Sequence, residues 1–466
     1  MNKYFRSAIL VLATLILVIS PVSAQESSPN GPTYVVKAGD TLWTIARKLH
    51  ISYDDLLESN DLDTNSSIIP GEQLVIPGLE DFTGVLDTIK VSYGENLESI
   101  SRRYNVPADD LVRLNRLTSP LELYVGVSAV VVGEEEITEV GGQRVSLAPG
   151  QSALELAIRS NLNPWTLVNA NGKGGNWDII PGEVLLLPGT ESAGLGAFPA
   201  EIREAGYRPE RFIQGHTSVM RVTAPEGTEI SGSLGDYPLH FFSQNGENYL
   251  ALQGLHAKES TGLKQLSVSG TLPDGTPFAH TQMVEIYDGN YHYEDIIGVP
   301  PQTVGVEITE EETQTLKEYT DQATESKFWS GDFFSPVPPH LASAYASYYG
   351  GRRSYNSSGY YYFHSGLDFY SSMGGDIYAA AHGKVVYTGS LLLHGNTTLI
   401  NHGWGVYTLY AHQSEMLVQV GQQVSAGQLI GRVGSTGRSS GPHLHWEVWV
   451  GGLQVDPLDW LNHTYP

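Results

Sequence analysis

The chain has 466 residues, more than one hydrophobic core normally supports, so several domains are expected. A formal net charge of −25, from 26 Lys plus Arg against 51 Asp plus Glu, repels polyphosphates and argues against nucleic acid as a partner. With no cysteine there are no disulfides, thiolate ligands, cysteine nucleophiles or lipid-modified N-terminal cysteine, and any metal must be held by His and carboxylates.

Lys3 and Arg6 precede an apolar run from Ala8 to Ile19, followed by Pro21 and the small-residue site Val22-Ser23-Ala24. This pattern predicts a signal peptide over residues 1–24, cleaved after Ala24. The competing reading is an uncleaved anchor, but the run is shorter than the roughly 20 residues a spanning helix needs. With the signal removed, the chain is expected to be secreted, extracytoplasmic and free of stable membrane insertion.

Three segments then share one plan, a strand, a Gly-polar turn, two short helices, an Asn, a Gly turn and an apolar strand. Gly39 recurs as Gly94 and Gly150, Asn60 as Asn115 and Asn171, Gly71 as Gly126 and Gly182, each step being 55 and then 56 residues. Leu42, Ile45, Ala46 and Leu49 follow helical spacing, and the predicted unit is βααβ, over 33–78, 87–133 and 143–189. The stretches Tyr34 to Trp43 and Ile69 to Leu74 resemble the LysM domain. That resemblance implies binding of N-acetylglucosamine-containing glycans, with peptidoglycan or chitin as ligand, in a groove between the loop holding Gly39, Asp40 and Thr41 and the loop Asn65 to Ile69. The later copies depart from the first: Thr41 becomes Asn96 and Ser152, and Trp43 has no counterpart. For individual repeated residues, building the fold is the favoured role.

Glu134-Glu135-Glu136 and Thr190 to Phe198 read as linkers. Over 211–295, short alternating runs such as Val219 to Val222 are broken by the turn signals Asn245-Gly246 and Pro273-Asp274-Gly275, which predicts a small antiparallel sandwich. The region resembles an immunoglobulin-like domain. Its dispersed histidines, His216, His240, His256, His280 and His292, are expected to be structural. Thr309 with Glu312 suggests a capping box opening a polar linker helix over 306–327 with a solvated acidic face.

Residues 328–466 carry the chemistry. Residues two apart on a strand share a face, so His443 and His445 face one site. With a further imidazole and a carboxylate available from His364, Asp368 and His412, they suit the N/O ligand set of a zinc site, and the surplus imidazoles are free for proton transfer. His364-Ser365-Gly366-Leu367-Asp368, Tyr410-Ala411-His412 and Gly441-Pro442-His443-Leu444-His445 together resemble the lysostaphin/LytM zinc metallopeptidases, from Trp329 to Leu461. The resemblance implies a mainly antiparallel-β peptidase domain that cleaves peptidoglycan peptides. It places the Zn2+ ligands at His364, Asp368 and His445 and the catalytic histidines at His412 and His443, with their division of labour open. His402 is read as either substrate-facing or structural, and His382, His394 and His463 as surface or turn residues. The whole is expected to be a secreted, cell-wall-associated zinc endopeptidase. An inert scaffold that activates other hydrolases, or a peptidase acting on secreted proteins, are the rival readings.

Overall fold

Each repeat begins its first helix at a side chain able to cap it. Thr41, Asn96 and Ser152 accept the backbone N–H of Thr44, Ser99 and Glu155, so the departures from Thr41 keep the function of an N-cap. The computed structural model describes residues 31–134, 137–189, 195–357 and 362–466. The signal peptide predicted over 1–24, and parts of both predicted linkers, lie outside the described residues. Gly39, Gly94 and Gly150 adopt φ of +88°, +86° and +87° at the turn before that cap, a conformation that favours glycine. The repeated Asn holds the unit shut. Asn60, Asn115 and Asn171 donate to the carbonyls of Leu56, Leu111 and Leu167 and to those of Val75, Val130 and Leu186, and accept the N–H of the latter three.

The first two repeats are βααβ units that share one four-stranded sheet, in which Thr33–Val35 runs parallel to Val85–Lys90. The third has the same element order around the two-stranded sheet of Gln143–Ser146 and Val184–Leu187. Next come a five-stranded sheet, antiparallel except for its edge strand Phe212–Ile213, which runs parallel to Pro277–Tyr287, and a four-stranded antiparallel sheet facing it, built from residues 204–287. On the strand Asn248–Gly254, Tyr249 and Ala251 point into the core between these sheets while Leu250 and Leu252 point away from it, the alternation expected of a strand.

The helix Val306–Thr320 corrects two sequence expectations. It starts at Gly305, so Thr309 lies inside its first turns and its hydroxyl donates to the Gly305 carbonyl instead of forming a capping box. It is also not a free spacer. Leu316 is buried against Leu399, Tyr407, Leu409 and Trp449, and residues 321–327 continue without helix, their backbone carbonyls accepting from Tyr407 Oη and Trp404 Nε1.

The last part is a sheet of ten strands. Its central path runs Tyr345–Ser347, Leu367–Tyr370, His443–Val450, Val406–Met416, Gly395–Gly403, Gly383–Leu391 and Gln423–Val424. Leu444, Trp446 and Val448 point into the main core, which also takes in Phe242, Leu250 and Leu252 from the preceding sheets. Among the described residues no helix is long and apolar enough to cross a membrane.

Candidate metal centre

On the opposite face of the strand His443–Val450 stand His443, His445, Glu447 and Trp449, in the two-residue alternation expected of a strand. Register brings a carboxylate beside them, because Asp368 pairs with His445 and Tyr370 with His443. His364 precedes that neighbouring strand, and the backbone at Gly366 passes so close to the Trp446 carbonyl that a Cβ there would lie 2.4 Å from it. A side chain at 366 would push His364 away from its partners. His412 follows Ala411, which pairs with His445 on the other side. The register of Val406–Met416 slips around this point, and His412 has φ of +57°. Such a bulge re-aims a side chain out of the regular alternation. His412 therefore joins the site face, its ring 4.8 Å from that of His443 and 5.7 Å from that of His445.

Hydrogen bonds to backbone carbonyls, which can only accept, put the proton on Nδ1 in three of the rings. His364 Nδ1 donates to the Tyr348 carbonyl (2.7 Å), His412 Nδ1 to that of Thr436 (2.8 Å) and His443 Nδ1 to that of Gly441 (2.8 Å). In each of these, Nε2 is left bare. His445 lies between two carboxylates, Nε2 3.1 Å from Glu447 Oε1 and Nδ1 2.8 Å from Asp368 Oδ1; a cation held on the Asp368 side would put its proton on Nε2 and leave Nδ1 bare. His364 Nε2, His445 Nδ1 and Asp368 Oδ1 then converge, at 3.1, 3.0 and 2.8 Å from one another. Three lone-pair donors facing one point suit a cation. A tetrahedral zinc, with bonds of about 2.0–2.2 Å, sets its ligand atoms roughly 3.3 Å apart, close to the spacing found.

The electrostatics agree with this arrangement for His364, His412 and Asp368; burial opposes a charge on His445, but Asp368 and Glu447 outweigh it and raise that imidazole above the ordinary histidine value in the metal-free site. Burial, with Arg353 nearby, pushes His364 down to about 4, so it presents a lone pair. Burial and the neighbouring imidazoles of His443 and His445 push His412 well below the usual histidine range. Burial opposes the charge on Asp368, but His364 and His445 outweigh it and hold the carboxyl well below the ordinary carboxylate range.

Behind His445 lies a chain of contacts that sequence reasoning missed. Glu447 Oε1 also accepts from His394 Nε2 (3.1 Å), and Glu447 Oε2 accepts from Trp449 Nε1 (2.7 Å). His394 Nδ1 in turn donates to Glu312, whose two oxygens also accept the N–H of Leu393 and His394. His394 was expected to be a surface or turn residue. It does sit in a turn, but its side chain is only 15% exposed; burial opposes its charge, while Glu447 and Glu312 push it up to about 10. Glu312 was expected on a solvated face and is buried, because Leu316 one turn on docks the helix against the sheet. His402 proves structural: it is buried, bonded to the His382 carbonyl and to Thr408 Oγ1, and is not among the residues lining the cleft.

The five candidate residues, His364, Asp368, His412, His443 and His445, line one cavity of about 370 Å³. Lys258 from a loop of the preceding sheets, Thr309 and Glu312 from the helix, and Arg438 beside the His443 strand are among the other residues that line it.

Comparison with known proteins agrees with this division of the chain. Residues 362–457 match the model of Peptidase family M23, and residues 34–77 and 89–127 that of the LysM domain. The DD-carboxypeptidase/endopeptidase Mpg of Neisseria meningitidis is 43% identical over 95 residues, 20% of this chain and 22% of that protein. The peptidoglycan DD-endopeptidase ShyA of Vibrio cholerae is 44% identical over 95 residues, again 20% and 22%. The murein hydrolase activator NlpD of Salmonella typhimurium is 44% identical over 97 residues, 21% of this chain and 26% of that protein. The chain thus spans about a quarter of the length of the curated relatives it matches. Its residues 362–457 form a Peptidase family M23 domain, carried on one chain with two LysM domains.

Proposed function

We propose that the chain is a secreted zinc endopeptidase that hydrolyses peptide bonds of peptidoglycan and is held to the wall by its LysM units. The observation that carries this reading is the convergence of three potential ligand atoms, from His364, Asp368 and His445, beside two further imidazoles in one cleft. A zinc ion held there supplies a Lewis acid that activates a water and polarises a scissile carbonyl. His443 and His412 do the proton work. With their Nδ1 hydrogens fixed on carbonyls, each offers a bare Nε2 that takes a proton from the water. Once protonated, the same nitrogen donates to the oxyanion or to the leaving amine. Glu447 holds the tautomer and orientation of His445, as carboxylates behind metal-binding imidazoles do. The names of the Neisseria and Vibrio relatives favour a D,D cross-link as the bond cleaved.

The Salmonella relative's name favours a second reading, an activator without its own chemistry. The complete donor set weighs against it. Metal analysis of the mature protein and digestion of purified peptidoglycan, with fragments identified by mass spectrometry, separate the two. One zinc per chain and new free amines at cross-links are expected; no zinc and intact cross-links leave the activator.

A further inference from the structure

The three repeats share a fold but not the same surroundings. In the first, the loops that frame the groove, 37–41 and 65–70, have Gly39 and Ile69 exposed, and among the described residues, its own chain neighbours aside, no atom lies within 4 Å of a Cβ placed on Gly39. In the third, the matching Gly150 and Ile180 are exposed as well, with equally open space at Gly150. The second repeat, at 92–96 and 120–125, is closed. Gly94 is buried, and a Cβ on it would lie 3.0 Å from Leu195 and 3.4 Å from Phe198.

What fills this second groove is a side chain of the neighbouring sheet. Gln282, on the strand Pro277–Tyr287 and 5% exposed, places its carboxamide between the two loops. Its Oε1 accepts the Gly94 N–H (3.0 Å), and its Nε2 donates to the carbonyls of Ser92 (3.3 Å) on one loop and Leu123 (3.2 Å) on the other. The Val125 N–H donates to the Met283 carbonyl (2.9 Å), and the Tyr93 ring sits edge-on to His280 at 5.3 Å. A carboxamide offers the acceptor and donor pair that an acetamido group offers, so Gln282 supplies from within the chain what an N-acetylated sugar would bring from outside.

We propose that the second repeat is a joint and not a sugar site: its groove is occupied by Gln282, which couples the N-terminal repeats to the sheets packed on the peptidase domain. The inference rests on the reading that LysM units here bind N-acetylated glycans, and it reverses what sequence likeness suggests. The LysM match covers residues 34–77 and 89–127, the first and second repeats, yet it is the third that has the open groove.

Hydrogen exchange by mass spectrometry on the full mature chain, with and without the N-acetylglucosamine tetramer, tests it. Sugar is expected to slow exchange at 37–41 and 65–70 and to leave 92–96 and 120–125 unchanged. Without sugar, Gln282→Ala and the similarly sized but apolar Gln282→Met should each speed exchange at 92–96 by about tenfold, the loss of one buried hydrogen bond. Sugar-dependent slowing at 92–96 in the wild type overturns the proposal, as does wild-type exchange there in both variants. Sugar that slows exchange in no repeat removes the glycan-binding reading alone, since the two variants still decide whether Gln282 holds the joint.

Discussion

His443 and His445 stand two residues apart on one strand, yet their imidazoles are held by opposite nitrogens, Nδ1 on the Gly441 carbonyl and Nε2 on Glu447. This difference predicts different failures. His445→Ala removes a potential ligand atom from the convergent set and should lower zinc content and muropeptide cleavage together. His443→Ala leaves the set intact, so zinc should stay while turnover falls by about 10²- to 10⁴-fold, as for a positioned acid or base. Zinc stoichiometry and cleavage measured side by side decide it: retention of metal by His445→Ala with loss from His443→Ala reverses the two roles. That these two histidines share a face was legible from strand periodicity. Which nitrogen each presents was not, because Glu447 Oε1 and the Gly441 carbonyl choose the tautomer through side-chain and loop geometry. His412 was legible only by family resemblance, since its strand bulges at that residue.

At the scale of elements, the helix Val306–Thr320 is part of the candidate metal site although it precedes the peptidase sheet. Glu312 and Leu316, four residues apart, share a face; Leu316 anchors the helix on the sheet and Glu312 reaches the turn at Leu393 and His394. From there the contacts run through His394 and Glu447 to His445. Glu312→Ala should therefore weaken zinc affinity by about 10- to 100-fold, the usual cost of losing support behind a ligand, while Gln314→Ala on the exposed side of the helix should not. Competition with a chromophoric chelator measures both, and equal affinity for Glu312→Ala and wild type would break the chain of argument. Nothing local announces this role. Glu312 and His394 lie 82 residues apart, and in the sequence a Glu on a polar helix reads as a solvated face. The repeats were more legible because their capping residues and asparagines act within one unit.

At the scale of the molecule, the peptidase sheet and the sheets before it share a core. Phe242 stacks on Trp404 with ring centroids 5.2 Å apart, and Leu250 and Leu252 enter the same cluster. Burial of each such side chain contributes about 1.5–3 kcal/mol, so a fragment starting at residue 328 should unfold at lower denaturant than one starting at residue 198. Equal midpoints would show that the peptidase domain closes its core alone. The polar side of this contact should make the longer fragment sensitive to pH. His216 Nδ1 lies 3.3 Å from Asp459 on the C-terminal helix Pro457–Asn462, and Asp459 also accepts from the Thr217 N–H and Tyr465 Oη. The bond to Asp459 raises His216 above its ordinary value, against burial. Burial works against the Asp459 charge too, but His216 and Tyr465 outweigh it and hold that carboxyl low. A raised histidine stabilises fully below its unfolded value of about 6.5 and loses the contribution as pH climbs through the folded value. A lowered carboxyl stabilises above about 3.9 and loses the contribution as pH falls through its folded value. The pair therefore supports the contact most in mildly acidic solution. Melting the longer fragment from about pH 5 to about pH 9, beside His216→Gln, should show a wild-type advantage at the acidic end that shrinks toward the alkaline end, whereas an advantage that stays constant across the range would mean that the charge on His216 plays no part in holding the two units together.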